Sequence, residues 1–408
     1  MRPSAFSALV STLTLLLTLS AVAARAEPTK PGAPQQLGVL QPIPTRAAEL
    51  RAAGVTFVVL SVSWDRFQPT APGSSTAPLG AAYVATLRSD LDTYRQAGLG
   101  VILDPGFQYP PDWLFKIPDS RYVNQHGSTF TDDSPGMNVA NSVFNRNIRI
   151  FQAAYLAALF RELGTDWTAV RLGGGWYGEL NYPPATYNQQ FNCYWAFDSI
   201  AQGTRPGLPA GIPPCPVPGW KPGKPTPSHT SARLFAHWYL DALKNYHDWQ
   251  ITTARRHYSG PLVMLYPSWG LRPGQLDAAI AANLANTTPP EKNGELQRGF
   301  DFARYIGGIR DPLVGVHCTW LDSNPDWSDD NSSSPDRWSP PKYLASLARR
   351  HVPPLAVSAE NTGGGGMPAL ELSLRRIREL NIPSFSWAFA PALFDDQPPE
   401  LKDLTSAP

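Results

Sequence analysis

Short apolar runs alternate with amphipathic stretches along most of the chain. Residues 37–40 read as a first short strand. Residues 45–53 read as a helix, with Gly54 in the position that stops one. Residues 55–62 are apolar on both faces, as in a parallel sheet covered on both sides. Over 79–97, Tyr83, Val84, Leu87, Leu91 and Tyr94 recur at helical spacing, and Gly98 closes the segment. Residues 100–103 form the next strand, and the unit then repeats. Helices are predicted over 143–163, 232–257, 341–350 and 367–380, with a partly helical stretch over 294–307. Strands are predicted over 167–172, 261–266, 313–320, 354–359 and 382–388. This alternation predicts an α/β fold, a closed (β/α)8 TIM barrel in a single domain over 37–397; an open doubly wound sheet is the rival. A polar lead-in over 27–36 and a tail over 398–408 flank it. Two long loops interrupt the rhythm. One is a Pro/Gly-rich insertion over 181–229 and the other a polar stretch over 323–339. Long ordered loops usually serve a site, so both are expected as walls of a cleft.

The first 26 residues change the picture of where the protein works. Met1-Arg2 is a basic start, 8–22 is apolar, and Ala24-Arg25-Ala26 has the form of a cleavage site. They read as a signal peptide, with Glu27 the first mature residue and an extracellular or periplasmic destination. The rival, a membrane anchor, asks for a longer apolar run. A net charge of +1 with 16% charged residues supports neither nucleic acid nor an anionic membrane as partner. In an exported chain, Cys193 and Cys215 are candidates for a disulfide across the long loop. Cys318 lies in an apolar run, as an inert thiol would. Nothing in the chain specifies an oligomeric state.

Several chemistries are excluded by context. Gly173-x-Gly175-x-x-Gly178 spells a dinucleotide fingerprint, but Leu-Asn-Tyr-Pro-Pro follows where a helix must open. Walker A, G-x-S-x-G and H-E-x-x-H patterns are missing. The seven histidines form no H-x-H pair, and Asp326, Asp329, Asp330 and Asp336 do not have EF-hand spacing. No metal and no cofactor are expected.

Active sites of such barrels lie at the C-terminal strand ends, and the residues there are chemically consistent. Glu179 follows the fourth strand and Glu360 the seventh, which face one another across the opening. Glycoside hydrolysis needs two carboxyl groups flanking the scissile bond. Trp64, Trp113, Trp176, Tyr177, Trp269, Trp320 and Trp387 stand at strand ends as stacking surfaces for sugar rings, although a barrel core uses aromatics too. Asp65, Gln108, Asp322 and Asn361 are candidate hydroxyl binders. His317 closes the sixth strand, where it reaches either substrate or a structural partner.

These residues also carry a resemblance. Gly54 to Trp64, Gly98 to Leu103 and Pro110-Pro-Asp-Trp-Leu114 resemble family 42 β-galactosidase catalytic domains. Gly173-x-Gly175-x-x-Gly178-Glu179-Leu180-x-Tyr182-Pro183 and Phe191-Asn-Cys-Tyr194 are similar to family 14 β-amylases. The resemblance implies a glycoside hydrolase of the barrel clan acting on an oligo- or polysaccharide. Glu179 is then the general acid, and Glu360 the nucleophile of a retaining enzyme or the base of an inverting one. Two departures bear on the mechanism. Gly178 stands where the retaining clan has Asn, and Ser358-Ala-Glu360-Asn361 lacks the Cys-x-Glu-Met pattern of β-amylases. The β-galactosidase-like, retaining reading is preferred. The alternatives are an inverting β-amylase-like glucan hydrolase and a non-catalytic carbohydrate-binding barrel.

Overall fold

The computed structural model describes residues 36–72 and 79–406. The expected signal peptide and all but the last residue of the lead-in lie outside the described residues. Eight strands follow one another: β1 Gln36–Leu40, β2 Phe57–Ser61, β3 Gly100–Asp104, β4 Ala169–Leu172, β5 Leu262–Tyr266, β6 Val314–Cys318, β7 Val357–Glu360 and β8 Ser384–Trp387. All neighbours are parallel, and β8 pairs back onto β1 to close the barrel. The predicted (β/α)8 architecture is therefore present, with the strands in sequence order.

The helices cover the outside. They are α1 Ala47–Ala52, α2 Trp64–Phe67, α3 Ala81–Gln96, α4 Arg146–Leu163, α5 Thr230–Arg255, α6 Gln275–Ala281, α7 Pro289–Lys292, α8 Phe302–Ile306, α9 Pro340–Arg350, α10 Gly366–Glu379 and α11 Asp403–Ser406. The apolar stripe of α3 buries Val84, Leu87, Leu91 and Tyr94, as its spacing requires. Asn145 caps α4 by accepting from the Asn147 amide. The short helices α2, α6 and α7 were not predicted; with four to seven residues, they carry too few turns for a periodic signal.

Small side chains stand beside bulky ones such as Phe57, Val59 and Ile102 around the barrel axis. Ala169, Gly315, Ser358, Ser384 and Ser386 border a lumen of about 290 Å3 where bulky branched residues usually fill the interior. Arg171 borders both this lumen and the cleft at the C-terminal ends of the strands.

The 181–229 loop departs from expectation. None of its residues lines that cleft. Tyr182 stacks on Tyr239 of α5 at 4.0 Å, and Trp195 packs edge-on to Phe130 and Tyr187. Tyr182, Tyr194 and Trp195 are fully buried, so the insertion is an extension of the core. The 323–339 loop does not line the cleft either. Cys193 and Cys215 are buried free thiols and not a disulfide. Cys193 is held by the Asn124 amide and its own bond to the Gln190 carbonyl. Burial pushes the thiol of Cys318 up to about 12, which makes it inert near neutral pH.

Three aromatics expected at sugar subsites belong to the core. Trp64 is fully buried, stacked on Tyr155 at 4.8 Å and edge-on to Phe107 and Trp113. Its indole nitrogen donates to Gln68 Oε1, and that of Trp113 to the Gln68 carbonyl. Trp387 is 2% exposed at the end of β8. Replacing Trp64 with Ala is expected to cost ~3–5 kcal/mol, as for other buried aromatics. Urea unfolding measures this, and an unchanged midpoint would remove Trp64 from the core.

Candidate active site

The turn after β4 is built to present one carboxylate. The Gly174 amide donates to the Gly178 carbonyl at 3.0 Å, and the Gly175 amide to the Glu179 carbonyl at 2.7 Å. Gly173 lies so close to this return that a Cβ there would stand 2.9 Å from the Glu179 carbonyl carbon. Tyr177 sits at φ 60° and Gly178 at φ 82°, two successive left-handed residues that turn Glu179 inward. A Cβ on Gly178 would meet the Gln108 side-chain amide nitrogen at 2.8 Å.

Glu179 is held on both oxygens. Thr319 Oγ1 donates to Oε1 at 2.6 Å, and Asn181 Nδ2 to Oε2 at 3.4 Å. A terminal nitrogen of Arg298 lies 3.8 Å from Oε2. Its side chain is only 12% exposed. Burial raises its pKa to about 7, against the downward pull of Arg298 and Thr319.

Glu360 ends β7 in the opposite electrostatic situation. Arg171 of β4 grips it with a two-pronged fork, at 2.7 Å to Oε2 and 3.0 Å to Oε1. His317 Nε2 approaches Oε2 at 3.2 Å, a close contact rather than an aligned hydrogen bond. The other ring nitrogen of His317 bonds Ser358 Oγ at 2.7 Å. Burial works against the charge on Glu360, but Arg171 and His317 overcome it and hold the carboxyl down at about 2. Two carboxyl groups in one cleft are thus driven apart in acidity. The same fold keeps one protonated and the other ionised.

The cleft has a volume of about 600 Å3. Both glutamates line it, with Gln108, Trp176, Tyr177, Trp320 and Asn361 from among the expected substrate binders. Asn361 also clamps Ala388, donating to its carbonyl and accepting from its amide. The other candidates stand elsewhere. Asp65 is exposed and accepts from Ser63 Oγ. Asp322 accepts from the Thr362 amide and hydroxyl, holding the loop after β7. His317 lies beneath Glu360 and faces the lumen. Trp269 packs on Trp327 at 4.4 Å in a separate small pocket. Sequence reasoning missed Asp104, Arg171, Arg298 and Thr319, all of which line the cleft. Arg171 alone carried a signal, as a charge inside the apolar run of β4. Among the described residues, no cluster of His, Cys, Asp and Glu fits a metal ion.

No protein-family model matches the chain, and no curated protein sequence matches it. Solved structures do. The catalytic domain of β-amylase from Paenibacillus polymyxa superposes with a TM-score of 0.65 at 14% identity, covering 91% of this chain and 97% of that one. A β-galactosidase from the Antarctic haloarchaeon Halorubrum lacusprofundi superposes with a TM-score of 0.50 at 12% identity. That match covers 87% of this chain and 52% of the β-galactosidase chain, about half its length. The chain therefore has the fold of (β/α)8 glycoside hydrolases. Both kinds of enzyme that the sequence resembles are among its structural neighbours.

The acidity of Glu179 has a consequence for stability. Its pKa rises from 4.5 to about 7 on folding. Its contribution is therefore fully present below the unfolded value and is lost as pH rises through 7. Glu179→Gln is expected to flatten this loss, gaining ~3 kcal/mol on wild type between pH 4.5 and pH 7.5. Urea titrations at the two pH values measure it, and parallel pH dependence in both proteins would contradict a buried acid at 179.

Proposed function

We propose that the protein is a secreted glycoside hydrolase. It cleaves O-glycosidic bonds of an oligo- or polysaccharide with retention of configuration. Glu179 is the acid/base and Glu360 the nucleophile. The observation that carries this reading is a pair of buried glutamates in one cleft, one held by the neutral Thr319 hydroxyl and Asn181 amide and the other gripped by Arg171. Export rests on the signal-peptide character of residues 1–26.

The steps follow from the contacts. Glu360, anionic and aimed by Arg171, attacks the anomeric carbon. Glu179 gives its proton to the departing glycosidic oxygen as that bond breaks. Glu179, now a carboxylate, takes a proton from water, whose oxygen attacks the anomeric carbon and releases Glu360. A carboxylate held at about 2 is a weak base toward water. The same low basicity makes it a good leaving group from the glycosyl-enzyme. The first property disfavours the general-base role, and the second is compatible with a nucleophile. Trp176, Tyr177 and Trp320 supply ring faces for stacking, and Gln108 and Asn361 supply polar contacts.

The rival reading is an inverting, β-amylase-like hydrolase. It is favoured by the fold match with the β-amylase catalytic domain and by the Gly173–Pro183 pattern. NMR of the first-formed product of a cleaved natural glycan separates the two. Retention of the anomeric configuration is expected, and inversion would move Glu360 to the role of base.

Activity is expected over a pH window in which Glu179 is protonated and Glu360 ionised. The basic limb should fall near 7, with the acidic limb far below it. Glu179→Gln should lower kcat ~10²–10⁴-fold on substrates with poor leaving groups and abolish the basic limb. Glu360→Gln should remove turnover. Full activity in either variant of an active wild type would sink the role of that glutamate, and a folded wild type that binds glycans and cleaves none would leave a carbohydrate-binding barrel.

A further inference from the structure

Arg298 sits beside Glu179 without a hydrogen-bond partner for its guanidinium. Its side chain is only 14% exposed, and it borders the cleft. Among the described residues its guanidinium donates no hydrogen bond, and Nε is buried without an acceptor. The nearest anion is Glu179, at 3.8 Å and outside hydrogen-bond reach. Glu295 also faces it from behind, but that carboxylate is occupied by Ser268 Oγ at 2.5 Å and the Gly270 amide at 2.7 Å. Tyr177 is the third titratable group that faces it. What fixes Arg298 is aromatic surface. Its guanidinium carbon lies 5.1 Å from the Trp176 ring centroid and 4.7 Å from that of Phe300. Rings engage the faces of a guanidinium and leave its edges free.

We infer that the substrate is an acidic glycan, and that Arg298 receives an anionic substituent of the sugar bound next to Glu179. The substituent is either the carboxylate of a uronic acid or a sulfate ester. This inference rests on the reading of Glu179 as the acid. The chemistry is that of a planar fork of N–H donors meeting an oxyanion, the strongest hydrogen-bonded recognition available to Arg. Burial already opposes the charge on Arg298. When Glu179 is protonated, as proton donation requires, the guanidinium loses its nearest counter-charge. A substrate anion restores one. It also offsets the pull of Arg298 on the Glu179 proton, since Arg298 is the leading influence that lowers that acid. A neutral sugar would leave this buried cation without a hydrogen-bonded counter-charge at the moment of chemistry, a costly arrangement.

Calorimetry of the whole protein with matched probes tests this. The probes are trigalacturonate and triglucuronate, their carboxyl-reduced neutral counterparts, and a sulfated neutral trisaccharide. Wild type is expected to bind an acidic probe about 10–100-fold more tightly than its neutral counterpart. Preference for the carboxylates identifies a uronic acid, and preference for the sulfated sugar identifies a sulfate ester. Arg298→Gln should reduce the difference to within about 3-fold. Equal binding of charged and neutral probes by wild type, or no binding of any acidic probe, overturns the inference without reference to the variant. So does a preference that survives in a folded Arg298→Gln. The hydrolytic reading fails separately: acidic preference in a protein that hydrolyses nothing leaves Arg298 an anion site and removes the catalytic role of Glu179.

Discussion

The buried ion pair of Arg171 and Glu360 is the interaction on which the rest of the site depends. Two charges have been taken from water into the top of a barrel, which is costly unless each is fully matched. The match is a two-pronged fork between β4 and β7, strands separated by β5 and β6 around the barrel. The fork fixes the ionisation of Glu360, and the resulting negative charge in turn helps keep the proton on Glu179. The difference between the two acids is therefore a property of the pair and its surroundings. It also explains why a narrow lumen beneath the site is tolerable. Arg171 and His317 occupy the level where packed side chains would otherwise close the axis, and their polar heads are turned toward Glu360.

The barrel was legible because short apolar runs such as β2 and β5 alternate with amphipathic helices, and glycine follows α1, α3 and α4. Val58, Leu60, Val101 and Leu103 are buried where the runs placed them. The two glutamates were legible for a related reason. A carboxylate directly after a buried strand has few places to go except the barrel mouth. The rest was not, because burial of an aromatic leaves no mark on its neighbours in sequence. Trp64 and Trp320 both follow apolar runs, yet one stacks on Tyr155 in the core and the other borders the cleft. The 181–229 insertion misled for the same reason. Its prolines and glycines read as surface, while Tyr182, Tyr194 and Trp195 among them sink into a cluster with α5. Arg298 and Thr319 reach Glu179 from sequence distances of more than a hundred residues, which no local pattern encodes.

Fold likeness at 14% identity speaks to architecture, and the neighbours with this architecture differ in substrate and product. The chemistry of this chain has to be argued from the side chains that its own strands bring together. At Glu179 and Glu360 geometry and acidity agree. Of the seven candidate aromatics, Trp176, Tyr177 and Trp320 face the cleft.

Gly178 occupies the position where the retaining clan carries asparagine, and the space that side chain would need is filled by the amide of Gln108. The two positions are thus one unit shared between the loops after β3 and β4. The Gln108 amide itself donates to Asp104 Oδ2 at 3.2 Å, and both residues line the cleft. A side chain at 178 would have to displace the Gln108 amide and adopt a left-handed backbone. Grafting the clan's asparagine onto this loop requires a smaller residue at 108, and enlarging 108 requires that 178 remain glycine. A search for relatives by an Asn-Glu dipeptide would pass over this chain, which has Gly178 before Glu179.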